Sequence, residues 1–145
     1  LEFVDRSGWL LWREGINFAT YSAKEWRPEL KIEHFPSARH QIKLSTQWVG
    51  IRAKRSANFQ LRVDGAPLTA VNDSVARSED FAISNLSLQL RYRWEIAPLS
   101  DLFVVYTMNG RQDVVGDSFD NIFTDAFNDP SAVQLTLKLR YRFGS

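Results

Sequence analysis

The sequence contains no cysteine and no long apolar run, and each absence removes a class of structure. Without cysteine, the chain has neither a disulfide framework nor a thiolate metal site. Without a run of about 18 apolar residues, it has no transmembrane helix. Strands cross a bilayer with only about 9 to 11 residues of alternating character. Strands are therefore the only element by which this chain would span a membrane.

The chain also lacks an excess of charge of either sign. Lys and Arg number 18, Asp and Glu number 17, and the net charge is +1. Binding to nucleic acid usually requires a strongly basic face, so no nucleic-acid partner is predicted. Aromatic residues, in contrast, make up 13% of the chain. Such residues favour strands, and surfaces with one apolar and one wet side.

Alternation of apolar and polar residues is the dominant pattern, and it is strongest in the C-terminal half. It runs without interruption through 86–96 and through 133–143, where VQLTLKLRYRF nearly repeats LSLQLRYRW. Each stretch is about twice the length of an ordinary globular strand, so both are predicted to be long strands. Further strands are predicted at 16–21, 29–35, 39–51 and 102–108.

The predicted connections alternate in length. Short turns at 36–38 and 97–100 alternate with long loops at about 54–82 and 109–132. Transmembrane barrels of bacteria have short periplasmic turns and long extracellular loops. In the second long loop, apolar residues recur at helical spacing behind a cap at Asp117 or Ser118. This spacing predicts one short helix over 118–127.

Aromatic residues are predicted to lie at the two ends of the strands, with aliphatic residues between them. Rings with a polar edge favour the headgroup level of a bilayer, so two such groups are typical of a membrane-spanning barrel. The predicted membrane-interface aromatics are Phe35, Trp48, Tyr92, Trp94, Tyr106, Tyr141 and Phe143.

These patterns predict an all-β fold: an antiparallel up-and-down transmembrane β-barrel, or part of one, with long extracellular loops and one short helix. Residues 1–145 would form a single barrel domain or the C-terminal fragment of a larger barrel. An open sheet edge in lipid is not viable, so a fragment would pair with the rest of its chain or with another copy. The alternative is a soluble β-sandwich or calyx that binds an apolar or sugar ligand in a pocket lined by Trp9, Trp12, Trp26 and Trp48.

Basic residues recur on the polar sides of the predicted strands. In a barrel with its apolar sides outward they would face the lumen, with Glu95 as the main counter-charge. A basic lumen raises the local concentration of anions. The alternative interpretation is that these charges pair with others in the barrel wall. The predicted lumen-facing residues are Arg39, Lys43, Arg91, Arg93, Lys138, Arg140 and Arg142.

No arrangement of residues predicts catalysis, a metal site or a cofactor. His34 and His40 flank the 35–39 turn without a third ligand nearby. An outer-membrane enzyme is the third hypothesis because Ser, His and carboxylates are present, although the chain has no GxSxG motif. The acidic residues of the second long loop fit no calcium-binding spacing and are predicted to be solvated. They are Asp113, Asp117, Asp120, Asp125 and Asp129.

Two segments resemble a known family. The final predicted strand ends in LKLRYRF (137–143), which looks like the C-terminal signal recognised by the barrel insertion machinery of bacteria. The segments EWRPELKIEHFPSARHQIKLSTQWVGIRA (25–53) and LQLRYRWEIAPLSDLFVVYT (88–107) resemble the C-terminal barrel of a large, uncharacterised bacterial outer-membrane β-barrel family. Its members often carry an N-terminal carbohydrate-binding-like domain. The resemblance implies a location in the bacterial outer membrane, contact with its lipid, and a role in solute passage or as a membrane base for a carbohydrate-related system.

Overall fold

The computed structural model describes residues 2–62, 65, 67–72, 79–115 and 118–143. Within these residues, one antiparallel sheet of eight strands is accompanied by one helix, which confirms the predicted all-β fold with a short helix. The elements are β1 (Glu2–Glu14), β2 (Asn17–Arg27), β3 (Glu29–Ser37), β4 (His40–Gln60), β5 (Thr69–Val71), β6 (Phe81–Ala97), β7 (Ser100–Val114), α1 (Phe119–Asn128) and β8 (Ala132–Arg140).

Strand order across the sheet follows the chain: β1-β2-β4-β6-β7-β8. β3 continues β2 along the same side of β4, since β2 pairs with residues 50–60 of that strand and β3 with residues 40–47. Pro28 separates the two because proline cannot donate a ladder hydrogen bond. Its carbonyl still accepts one from the backbone N–H of Trp48, at 3.1 Å. The architecture is therefore an up-and-down meander in which β2 and β3 act as one long strand.

The sheet is not closed into a barrel. Within the described residues, β1 pairs only with β2 and β8 only with β7, so these two strands are its edges. The turns at 38–39 and 98–99 lie at one end of the sheet, the turn end, and the connections 61–80 and 115–131 at the other, the loop end. A third tight turn, at residues 15–16, also lies at the loop end, which the predicted alternation of short and long connections did not include.

Several strands extend beyond their predicted bounds. β4 continues to Gln60 rather than ending at 51, and β6 begins at Phe81, so the first long connection is 61–80. In the extension of β4, Arg52 and Lys54 occupy positions that apolar residues hold earlier in the strand. The alternation fails there because, toward the loop end, polar residues of this strand lie on the side that is apolar elsewhere, and apolar residues lie on the opposite side. β8, in contrast, ends at Arg140 rather than 143.

Strand register defines the two faces, because residues directly paired across an antiparallel ladder lie on the same side. The face that carries the apolar residues of the predicted strands is called the apolar face, and the opposite one the polar face. One row of the apolar face is Ile32, Leu44, Leu90, Tyr106 and Leu135. The adjacent row of the polar face is Glu33, Lys43, Arg91, Val105 and Thr136.

The helix begins where the sequence predicts. Ser118 is its N-cap, and the Ser118 hydroxyl accepts a hydrogen bond from the backbone N–H of Asn121 at 3.3 Å. This bond satisfies one of the backbone donors left free in the first turn of a helix. Asp117, the other predicted cap, lies outside the described residues.

α1 packs against the apolar face near the loop end. Its buried residues Ile122 and Ala126 contact a cluster that includes Trp48, Leu86 and Met108. The approach is close because β7 has a glycine there: a Cβ atom at Gly110 would lie 1.8 Å from the backbone oxygen of Ala126. The helix therefore covers the apolar face of β4, β6 and β7 near the loop end.

A second apolar cluster lies on the polar face at the loop end. Tyr21 and Ala23 of β2 and Ala53 of β4 are buried there, with Trp9 and Phe81 packed against them. The polar face is thus polar only toward the turn end.

The apolar face is uncovered toward the turn end within the described part of the chain. Leu135 and Leu137 of β8 are 63% and 67% exposed, and Leu30 and Ile32 of β3 are about half exposed. The apolar residues of β4 and β7 between these strands are partly exposed. None of the described helical segments has the length and apolar character needed to cross a membrane.

Candidate functional site: a basic depression on the polar face

A depression of about 400 Å³ lies on the polar face near the turn end. Four neighbouring strands, β4, β6, β7 and β8, supply its lining. Alternate residues of a strand point to the same side, so the basic residues spaced two apart on these strands meet there. Its cations are Lys43, Arg91, Arg93 and Lys138.

Two of these cations have carboxylate partners. Lys43 Nζ lies 3.0 Å from Glu33 Oε1, and both side chains are about half exposed. Arg93 Nη2 lies 2.8 Å from Asp101 Oδ1. These pairs agree with the interpretation that part of the basic row is neutralised within the sheet.

Arg91 and Lys138 differ from the other two cations. Among the described residues, neither has a carboxylate oxygen within the 4.0 Å of an ion pair. Arg91 is on β6 and Lys138 is on β8, with β7 between them. The depression therefore carries two positive charges that the described sheet does not neutralise.

Asp101 is the main counter-charge, rather than the predicted Glu95. It is 1% exposed, and its two carboxylate oxygens form ion pairs with Arg93 and Arg140. Asp101 thus connects β6, β7 and β8 at the turn end. Glu95 lies directly opposite Asp101 in the β6–β7 register but, among the described residues, forms no ion pair. Sequence reasoning missed Asp101 because it follows the 98–99 turn and reads as a solvated turn residue.

The predicted lumen-facing residues fall into two groups. Lys43, Arg91, Arg93, Lys138 and Arg140 share the polar face by register. The other two lie at the turn end outside the strands. Arg39 is in the 38–39 turn, and Arg142 follows β8, where its backbone N–H donates to the Ser100 hydroxyl at 3.1 Å.

Most of the predicted interface aromatics lie toward the turn end. Exposed rings there are Phe35, Trp94, Tyr141 and Phe143. Tyr92 is partly exposed, and its hydroxyl lies 2.7 Å from His40 Nδ1. The His40 ring also stacks on Trp94, which explains the role of this histidine without a metal. No group of three or more His, Cys, Asp or Glu side chains able to hold a metal ion occurs in the described part of the chain.

Trp48 is not at an exposed interface, contrary to the prediction. It is 3% exposed beneath α1, and its indole N–H donates to the Ser84 hydroxyl at 2.7 Å. The alternation of residues along β4 placed Trp48 correctly on the apolar face. It did not predict burial, because the helix that covers Trp48 comes much later in the sequence. Tyr106, another of the predicted interface aromatics, is partly buried against the same cluster.

The structure brings together two of the four tryptophans proposed for the soluble alternative. Trp26 and Trp48 lie with ring centroids 5.6 Å apart and border a largely apolar cavity of about 370 Å³ beside Phe119. Trp9 packs on the opposite face, and Trp12 is exposed near the 15–16 turn. A single pocket lined by all four is therefore wrong.

Comparison with known proteins gives one match. The family described as "Domain of unknown function (DUF5916)" matches residues 2–143. The chain belongs to this family. The match spans every strand and the helix of the DUF5916 sheet, so it covers both the basic depression and the apolar face. Neither the curated proteins nor the solved structures gave a match.

Proposed function

We propose that the DUF5916 sheet is part of the wall of a bacterial outer-membrane β-barrel through which anionic solutes pass. The observation that carries this proposal is the division of the sheet at the turn end, with an exposed apolar band on one face and a basic depression on the other. Barrel walls have this division because one face meets lipid and the other meets water. No catalytic step is part of the proposal.

The apolar band supports contact with lipid. It crosses the sheet from β3 to β8: Leu30, Leu135 and Leu137 on the two outer strands are half exposed or more, and the aliphatic residues of β4 and β7 between them are partly exposed. Soluble proteins rarely expose a contiguous apolar surface of this extent, because leaving it in water costs free energy in proportion to its area. Exposed rings, among them Trp94 and Tyr141, lie at the end of the band, where a headgroup region would begin.

The open edges fit a wall that is completed by further strands. Unpaired backbone groups of β1 and β8 are not viable in lipid, since no water is present to bind them. In this proposal they pair with strands from another part of the protein or from another copy. In this proposal β8, followed by Tyr141 and Phe143, is the segment that the barrel insertion machinery recognises.

The basic depression supports a preference for anions. Arg91 and Lys138 are uncompensated by the described carboxylates, so their field extends into the space on the polar side. Fixed charges near a water-filled passage raise the concentration of ions of opposite sign.

Site-directed spin labelling tests the membrane assignment, and the absence of native cysteine makes single labels straightforward. Labels would be placed through Leu135→Cys, Thr136→Cys and Leu137→Cys in protein reconstituted into vesicles. We expect oxygen, which partitions into the bilayer, to relax the labels at 135 and 137. A water-soluble nickel chelate should relax the label at 136. The accessibility to the two reagents should alternate from residue to residue, because alternate residues of a barrel strand face lipid and water.

The soluble alternative gives a different result. The chain would then stay monomeric at high concentration without detergent, and the label at 135 would be relaxed by the nickel chelate or by neither reagent. Either result would reject the lipid-facing assignment of the apolar face.

Ion selectivity tests the role of the depression. In planar bilayers under a KCl gradient, the unaltered protein is expected to favour chloride. The double variant Arg91→Gln with Lys138→Gln should lower the chloride-to-potassium permeability ratio about threefold, because it removes the two uncompensated charges. The reversal potential measures this ratio.

Lys54→Gln is the matched control for selectivity. Lys54 is exposed on the apolar side of β4, and the change removes one positive charge away from the depression. A selectivity that is insensitive to the double variant, or equally sensitive to Lys54→Gln, would contradict a passage lined by the depression.

A further inference from the structure

A second depression, of about 550 Å³, lies on the polar face at the loop end. Its lining is largely apolar and includes Trp9 and Leu11 of β1 and Phe81 of β6. These side chains border the second apolar cluster, in which Tyr21 is fully buried. The size is in the range of clefts that hold small organic ligands, roughly 300 to 1,000 Å³.

Among the described residues that line this depression, Arg13 is the basic one. Its guanidinium carbon lies 5.6 Å from the ring centroid of Tyr21 and 5.6 Å from that of Phe81. Those two rings are themselves edge-to-face, with centroids 5.0 Å apart. Cation–π contacts of this kind restrict where the guanidinium lies while leaving its N–H donors unused.

Arg13 has no carboxylate partner within 4.0 Å among the residues the structure describes. Asp113, a carboxylate in the lining of the same depression, is engaged by Arg111, whose Nη2 lies 3.2 Å from Asp113 Oδ2. The depression thus combines apolar and aromatic surface with an oriented cation to which the described residues supply no counter-charge.

We propose that this depression binds a small organic carboxylate with an apolar or aromatic body. The Arg13 guanidinium would hold the carboxylate through two parallel N–H donors, the arrangement that makes arginine effective for carboxylates. The body of the ligand would lie against Trp9, Leu11 and Phe81 and would remove their surface from water. A simple inorganic anion would gain only the first of these interactions.

This site is separate from the basic depression, because Arg13 lies at the loop end while Arg91 and Lys138 lie toward the turn end of the same face. Binding there does not depend on the proposed passage of solutes. The folded chain can be tested in detergent or in buffer, whichever its solubility requires.

Isothermal titration with 3-phenylpropionate tests the site. The unaltered chain should bind it at least about tenfold more tightly than either 3-phenylpropanamide, which lacks the charge, or propionate, which lacks the ring. Arg13→Gln should weaken binding of 3-phenylpropionate about tenfold or more, and Arg13→Lys should give an intermediate value because it keeps the charge but not the planar fork.

Lys24→Gln serves as the matched control, since Lys24 is an exposed cation on the opposite face of the neighbouring strand. Circular dichroism would establish that each variant is folded.

The proposal is overturned if the unaltered chain does not bind 3-phenylpropionate, if the amide binds equally well, or if Arg13→Gln binds as the unaltered chain does. An equal loss in Lys24→Gln would also overturn it, by showing a general charge effect. Arg13→Gln is expected to leave the accessibilities of the spin labels at 135–137 unchanged. A negative result for carboxylate binding is therefore distinct from a negative result for the barrel proposal.

Discussion

Asp101→Asn is expected to lower the thermal unfolding midpoint of the chain by roughly 5 to 10 °C. The carboxylate of Asp101 is buried between Arg93 and Arg140, which come from the two strands on either side of it. The amide is nearly the same size but carries no charge and offers one acceptor oxygen. Both arginines would keep their positive charges close together without the anion that separates them. The midpoint would be measured by circular dichroism of the folded protein.

Glu95→Gln is the control for this change. Glu95 lies directly opposite Asp101 in the register, and the described ion pairs of Arg93 and Arg140 go to Asp101. Its replacement should leave the midpoint nearly unchanged. The double variant Asp101→Asn with Arg140→Gln should be less destabilised than the sum of the two single variants, because the pair acts as a unit. Equal midpoint shifts for Glu95→Gln and Asp101→Asn would refute the assignment of Asp101 as the principal counter-charge.

Gly110→Ala is expected to displace α1 from the sheet and to destabilise the chain by about 1 to 3 kcal/mol. The added Cβ would lie 1.8 Å from the backbone oxygen of Ala126. Ala126 lies in the last turn of α1, so the C-terminal part of the helix must move away from the sheet. Ile122, which is fully buried in the cluster beneath the helix, would then become accessible. Thiol reactivity of a cysteine introduced by Ile122→Cys reports this exposure directly.

Asn109→Ala provides the comparison for the glycine variant. It places an alanine one residue earlier on β7, where the side chain is exposed on the polar face and has no contact with α1 to lose. The cysteine at 122 should stay protected in this variant and react rapidly in Gly110→Ala. Protection in both would mean that the sheet accommodates the methyl group and that contact with Gly110 does not hold the helix in place.

The long strands and the helix were predictable because their signals are local. Alternation through 86–96 is a property of the strand itself, and the helical spacing behind Ser118 is a property of one segment. β6 and α1 accordingly appear close to their predicted positions. Prediction succeeded wherever one short stretch contained the whole signal.

The remaining features depend on residues that register brings together. Asp101 has partners 8 and 39 positions away in the chain, and no local pattern joins them. Trp48 alternates like a surface-facing aromatic, and only the packing of α1 shows that it is buried. Arg13 gains its place from contacts with Tyr21 and Phe81, which lie on two other strands. For the basic depression, the sequence therefore identified the basic residues but not their state of pairing, and it did not identify Arg13.

The continuity of β2 and β3 is a further feature that local reasoning did not reveal. Proline within a run of strand residues argues against a continuous strand. Here Pro28 lies between the β2–β4 ladder and the β3–β4 ladder. β2 and β3 therefore remain in line along β4 on either side of the proline.

The chain-ordered meander also has a consequence for how the molecule assembles. Each long strand pairs with the next long strand along the chain, so no pairing has to wait for a distant segment, and the free energy of loop closure stays small. Ser100 and Asp101 of β7 bind Arg142 and Arg140, which lie beyond and on β8. Pairing of β8 with β7 therefore completes the neutralisation of the buried carboxylate.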